Sequence, residues 1–112
     1  MLSFQRLKVY QRAIEFLDLS FDIVEQLPRG HAARAVQLIR AAESVIRNIA
    51  EGAGRWSSAD SSKHYKIARG EAMECAASLD IFKLRKLVAS ECYARGIELL
   101  ESVVGMLTKM IK

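Results

Sequence analysis

At 112 residues, with 51% of them hydrophobic and only one Pro and six Gly, the chain is sized for one domain around a single core (1–112) and lacks the turn chemistry of an all-β fold. No apolar run approaches the ~20 residues of a membrane-spanning helix, and the first residues thread charges through apolar positions instead of forming a signal peptide, so a soluble, cytoplasmic protein is expected. Cys75 and Cys92 have no paired spacing, which excludes a disulfide framework and fits plain thiols.

The first helix is predicted from Phe4 to Leu27, with Leu7, Tyr10, Ala13, Ile14, Leu17, Phe21 and Val24 recurring at three- and four-residue steps. Pro28 ends it, and Pro-Arg-Gly is turn chemistry. The second helix is predicted from His31 to Glu51. Leu38, Ala42, Val45, Ile46 and Ile49 form its apolar arc, while Arg34, Gln37, Arg40, Ser44, Arg47 and Glu51 form the opposite one. Gly52 is expected to stop this helix in a left-handed cap. Residues 53–58 then read as a loop, with Ser58 or Asp60 capping the third helix.

That third helix is predicted from Ala59 to Val88, and it carries two apolar stripes. Tyr65, Ala68, Ala72, Cys75, Ala76, Leu79 and Phe82 make one; Met73, Ala77, Ile81, Leu84 and Val88 make the other. A lone bundle needs one broad stripe per helix, so the second is either an extension of the core or a subunit interface. The fourth helix, Ser90 to Ile111, aligns Tyr93, Ile97, Leu100, Val104, Leu107 and Ile111. Four such helices with short connections predict an all-α, antiparallel up-down-up-down four-helix bundle.

Charge is unevenly placed. Residues 29–69 hold eight basic groups against three acidic ones, a local excess of +5, whereas residues 1–28 come to −1 and residues 70–112 to zero. Arg34, Arg40, Arg47, Arg55, Lys63, Lys66 and Arg69 are therefore the candidate phosphate-binding residues, since guanidinium forks suit bidentate phosphate contacts. The competing reading is a solvated face with ion pairs to Glu43 and Glu51. Trp56 offers a face for base stacking; the gain from burial favours instead a ring folded over the end of the bundle.

Catalysis finds little support. His31 and His64 lack the helical spacing of a metal site and read as solvated surface residues. Ser57, Ser58, Ser61 and Ser62 have no nucleophile-elbow context. Glu51 beside Arg55 reads as a loop-fixing ion pair. Neither an enzyme nor a cofactor or metal is expected.

The run from Gln37 to Arg55, QLIRAAESVIRNIAEGAGR, followed by Ala68-Arg69-Gly70-Glu71 and Glu74, resembles the signature of a bacterial four-helix-bundle family typified by proteins encoded within intervening sequences of large-subunit ribosomal RNA genes. Leu27-Pro28 fits its break after the first helix, and the likeness spans residues 4 to 82. Val45 departs conservatively from the usual Ile, and Glu71 adds charge where the family has Ser. The resemblance implies a non-catalytic homo-oligomer, a pentameric ring. Its fold is similar to that of the accessory variability protein of diversity-generating retroelements, which binds nucleic acid and partners a reverse transcriptase. The expected function is an oligomeric nucleic-acid-binding scaffold, RNA before DNA; the alternative is a protein-interaction module docking an acidic partner such as a reverse transcriptase.

Overall fold

A computed structural model describes all residues 1–112. A short 3-10 turn, Ser3–Arg6, precedes four α-helices: α1 (Lys8–Glu25), α2 (Ala32–Ala53), α3 (Ser58–Leu84) and α4 (Ser90–Met110). Each helix packs against its two neighbours in the cyclic order α1-α2-α3-α4, with no close backbone approach across either diagonal. The bundle measures 45 × 25 × 23 Å, its length set by α3, since 27 residues at 1.5 Å per residue span about 40 Å. One core draws on all four helices.

The first helix is shorter than expected because Leu7 is extended, with φ −65° and ψ 131°. The Leu2 N–H donates to Gln5 Oε1 at 2.7 Å and the Leu7 N–H to the Phe4 carbonyl at 3.0 Å, which closes the turn separately from the helix. Phe4 thus stands outside α1, its ring edge-on to Tyr10 with centroids 5.1 Å apart. The buried seam of α1 is also rotated from the predicted one: Val9, Ala13, Phe16, Ser20 and Ile23 face the core, while Ile14 and Phe21 remain partly in solvent. Ser20 disguised this heptad. Its hydroxyl donates to the Phe16 carbonyl at 2.8 Å, which lets a polar residue occupy a core position without an unmet hydrogen bond.

In α2 Leu38, Ala42, Val45 and Ile49 of the predicted apolar arc are buried, with Ala41 and Gly52 added, while Ile46 is only partly buried against the core. Gly52 does not stop the helix, which runs on to Ala53 with Gly54 as its cap at a right-handed φ of −89°. What requires glycine at 52 is proximity to α3. A Cβ there would lie 2.5 Å from Cε1 of Tyr65. The hydroxyl that caps α3 is that of Ser57, accepting from the Asp60 N–H at 3.1 Å, rather than Ser58 or Asp60.

The third helix ends at Leu84, four residues before the predicted limit. Lys86 takes a left-handed φ of 57°, the Leu87 N–H donates to the Phe82 carbonyl at 2.8 Å and the Lys86 N–H to that of Lys83 at 3.1 Å. These are the bonds of a Schellman ending, here with Lys where Gly is usual. In α4 the buried face is Gly96, Leu99, Leu100, Val103 and Leu107, with Tyr93, Ile97, Val104 and Ile111 only flanking it. Gly96 is a second close approach: a Cβ would come within 2.7 Å of Leu79 Cδ1.

Candidate nucleic-acid interface

The basic residues do not form one patch. Arg34, in the first turn of α2, lies against His31, its guanidinium 3.2 Å from Nδ1. Arg55 lies past the far end of the same helix, about 30 Å away at 1.5 Å per residue. Between them Arg40 is exposed with no carboxylate partner, and Arg47 is 3.4 Å from Glu43. Lys63 and Lys66 project from the outer face of α3. Arg69 turns toward α4, where its Nε donates to Thr108 Oγ1 at 2.9 Å.

Arg55 belongs to a polar seam between α2 and α3. It reaches Glu51 at 3.1 Å, and the same carboxylate oxygen is 3.3 Å from His64 Nδ1. His64 Nδ1 is also 3.2 Å from Asn48 Oδ1, while Asn48 Nδ2 donates to the Ser44 carbonyl at 2.9 Å. The residues Ser44, Asn48, Glu51 and Arg55 of the signature run are therefore joined in one chain of polar contacts. His64 is the exception to its expected solvated setting, because its side chain is only 14% exposed. One helix alone could not announce this role, since its partner lies sixteen residues away across the bundle seam.

Trp56 does not fold over the bundle end. It projects from the connection Gly54–Ser57 wholly in solvent, at 104% relative exposure. The connection is held at both sides, by the Arg55 N–H donating to the Gly52 carbonyl at 3.3 Å and by the Ser57 cap. Four residues between two anchored helix ends leave the ring too little chain to turn back onto the core.

Met73, Ala77, Ile81 and Leu84 all lie on the exposed face of α3, with Ile81 48% and Leu84 78% exposed. This second stripe is thus no part of the chain's own core. Val88 departs from it: it lies past the end of α3 and packs partly buried against the core. A groove beside the stripe, between α3 and α4, is lined by Met73, Ala76, Ile97, Val104 and Gly105.

Cys75 is buried and unpaired, its thiol pushed up to about 12 by burial first and by Glu71 and Glu74 next. A thiol so placed is a small apolar core residue and a poor nucleophile. No helix is long and apolar enough to cross a membrane.

Residues 5–109 match the family described as 23S rRNA-intervening sequence protein. Among solved structures, a protein of unknown function from the S23 ribosomal protein family of Bacteroides thetaiotaomicron is similar, with a TM-score of 0.84 at 23% identity, covering 93% of this chain and 98% of that one. At that identity the likeness concerns the fold. No curated protein matches the chain.

Proposed function

The chain belongs to the 23S rRNA-intervening sequence protein family, and from that premise we propose that it is a non-catalytic, oligomeric nucleic-acid-binding scaffold of the cytoplasm, with RNA before DNA as its ligand. The observation that carries this reading is the number of cations without an acidic partner: Arg34, Arg40, Lys63, Lys66 and Arg69 have no carboxylate within 4.0 Å. A solvated structural face would be expected to interleave them with acids. Left unpaired, they are free to neutralise phosphates and release counterions.

Assembly multiplies such contacts. A closed ring needs two different faces that fit each other. The exposed apolar stripe of α3 supplies one, and Ile14 and Phe21 of α1, with Val36 of α2, supply apolar surface elsewhere on the bundle. We take the ring to be pentameric, as the family resemblance implies, and its repeated basic surface raises affinity through effective concentration.

The test is binding to RNA and DNA of arbitrary sequence across a range of salt. Affinity for both that falls steeply with salt supports the scaffold. Absence of such binding, together with capture of one acidic protein such as a reverse transcriptase, supports the protein-docking alternative instead.

A further inference from the structure

The up-down order gathers at one end of the bundle the start of α1, the end of α2, the start of α3 and the end of α4. Contacts tie these stretches together. The Lys112 N–H donates to Ser62 Oγ at 2.8 Å, Arg69 reaches Thr108 at 2.9 Å, and Lys8 and Lys109 line one shallow groove. Lys8, Arg55, Lys63, Lys66, Lys109 and Lys112 therefore lie toward this one end, contributed by four separate parts of the chain. Of these six only Arg55 has a carboxylate within 4.0 Å. The last turn of α2 and the first of α3 supply only Glu51 and Asp60 in opposition.

Trp56 stands at this same end, fully exposed. An indole held in water forgoes the burial of its 150–250 Å² surface, so its position leaves a flat apolar face open to a ligand. On α3, Met73, Ile81 and Leu84 form a stripe, as a protein interface would require, with Ile67 exposed apart from it. Trp56 has no such continuation, and its neighbour in the chain is a guanidinium. A flat apolar face set among cations matches the chemistry of an unstacked base with phosphates on either side. Away from its two ends a duplex keeps its base faces stacked on one another and presents none to Trp56.

We infer that this end of the bundle is a binding site for single-stranded nucleic acid, in which one base stacks on Trp56 and flanking phosphates meet Arg55 and the surrounding lysines. The inference rests on the nucleic-acid reading of the basic surface and narrows it to a strand state and a place. It adds Lys8, Lys109 and Lys112, which lie outside the basic window of the sequence, and it leaves Arg34 out, at the far end of α2.

Trp56 is the only tryptophan, so its fluorescence reports on this site alone. The protein is titrated with end-labelled oligo(U) and oligo(dT) of about 12 nucleotides, within the usual site size, and with an RNA duplex of equal length. Tryptophan emission and label anisotropy are read together. Saturable quenching by the single strands with the same midpoint as the anisotropy change is expected, with no quenching by the duplex. Trp56→Ala should lower single-strand affinity by about 5- to 150-fold, the range measured for lost base stacking, and Trp56→Phe should recover part of it. Because the ring contacts nothing in the fold, both variants should keep their helicity and assembly. If the single strands change the anisotropy while Trp56 emission stays fixed and Trp56→Ala binds as before, this site is wrong although the scaffold reading stands. Equal quenching by the duplex overturns the assignment to single strands. No binding of either ligand overturns both.

Discussion

Gly52 and Tyr65 hold α2 and α3 at their closest approach: the Cβ that Gly52 lacks would fall 2.5 Å from Cε1 and 2.8 Å from Cδ1 of the Tyr65 ring. The ring is buried at 8% exposure and cannot swing clear without opening the core. Gly52→Ala gains about 1 kcal/mol of helix propensity, while overpacking costs about 1–3 kcal/mol. Net destabilisation is expected, read as a lower urea midpoint. In a Tyr65→Ala background the clash is gone, so the same glycine replacement should become stabilising. A sign that fails to reverse in this double-mutant cycle would show that the Tyr65 ring is not what keeps position 52 a glycine.

Lys86 closes α3 with a left-handed φ of 57°, a conformation that costs an L residue about 1–2 kcal/mol. Lys86→Gly relieves it against a smaller entropic cost in the unfolded chain, and a gain of up to about 1 kcal/mol in urea unfolding is expected. An unchanged or lowered midpoint would mean that the Lys side chain stabilises this ending in another way.

These two sites also mark where the sequence could be read and where it could not. The four helices and the core stripe of α3 were legible because their apolar residues recur with helical spacing and few polar residues interrupt them. Gly52 looked like a stop signal because a glycine made necessary by a neighbouring helix and a glycine at a cap are the same letter, and only the packing of Tyr65 distinguishes them. The end of α3 was missed for the converse reason: Lys86 occupies a position at which glycine would have marked the boundary. The seam of α1 was misplaced through Ser20, whose hydroxyl satisfies itself on the Phe16 carbonyl. At the candidate site the cations were visible as a charge excess. Their separation along α2, and the arrival of Lys109 and Lys112 beside Lys63, depend on which helix ends meet.

The thiols should behave differently. Cys75 is buried with its ionisation pushed up from 9.0 to about 12, whereas Cys92 is half-buried. Only Cys92 should react with a maleimide in the native protein near pH 8, as read by mass spectrometry. The raised value favours the neutral thiol in the folded state, so the unfolded chain releases its proton first. Stability should therefore fall as pH rises from about 9 toward 12, with a limiting slope near 1.4 kcal/mol per unit from this group. Replacing Cys75 by Ala should remove that part of the alkaline slope, whatever its cost to packing.

Assembly is tested on the outer stripe of α3. Ile81 and Leu84 are 48% and 78% exposed within one chain, so glutamates there cost the isolated fold little. In a subunit interface the same charges would be buried without partners, at several kcal/mol. Ile81→Glu with Leu84→Glu should thus leave the helical circular dichroism intact while light scattering reports a smaller particle. Leu79→Glu, in the core, should unfold the chain and serves as the contrast. An unmodified protein that scatters as a monomer, or a double variant that keeps its size, would remove this stripe from the interface.

The basic face of α2 gives the last prediction. Arg40 is unpaired, Arg47 is 3.4 Å from Glu43, and Arg55 is 3.1 Å from Glu51, so the three differ in what they would give up to meet a phosphate. Exposed pairs of this kind contribute about 0–1 kcal/mol, which a phosphate contact can replace. Arg40→Ala, Arg47→Ala and Arg55→Ala should each weaken RNA binding without regard to sequence, because phosphate contacts carry little base information. Each single-strand phosphate contact contributes about −0.7 to the slope of log affinity against log salt, so the triple variant should flatten it by roughly 2. Arg55 needs its own control, since its loss also frees Glu51 beside His64. Arg55→Ala combined with Glu51→Gln separates the two effects: a phosphate role predicts that the combination still binds weakly, whereas recovery would trace the loss to the freed Glu51 charge. A folded triple variant of unchanged size, affinity and salt slope would take this face out of the nucleic-acid site. Tryptophan quenching by single strands in an Arg40→Ala, Arg47→Ala variant, which keeps Arg55, would then decide whether binding belongs to the end of the bundle around Trp56.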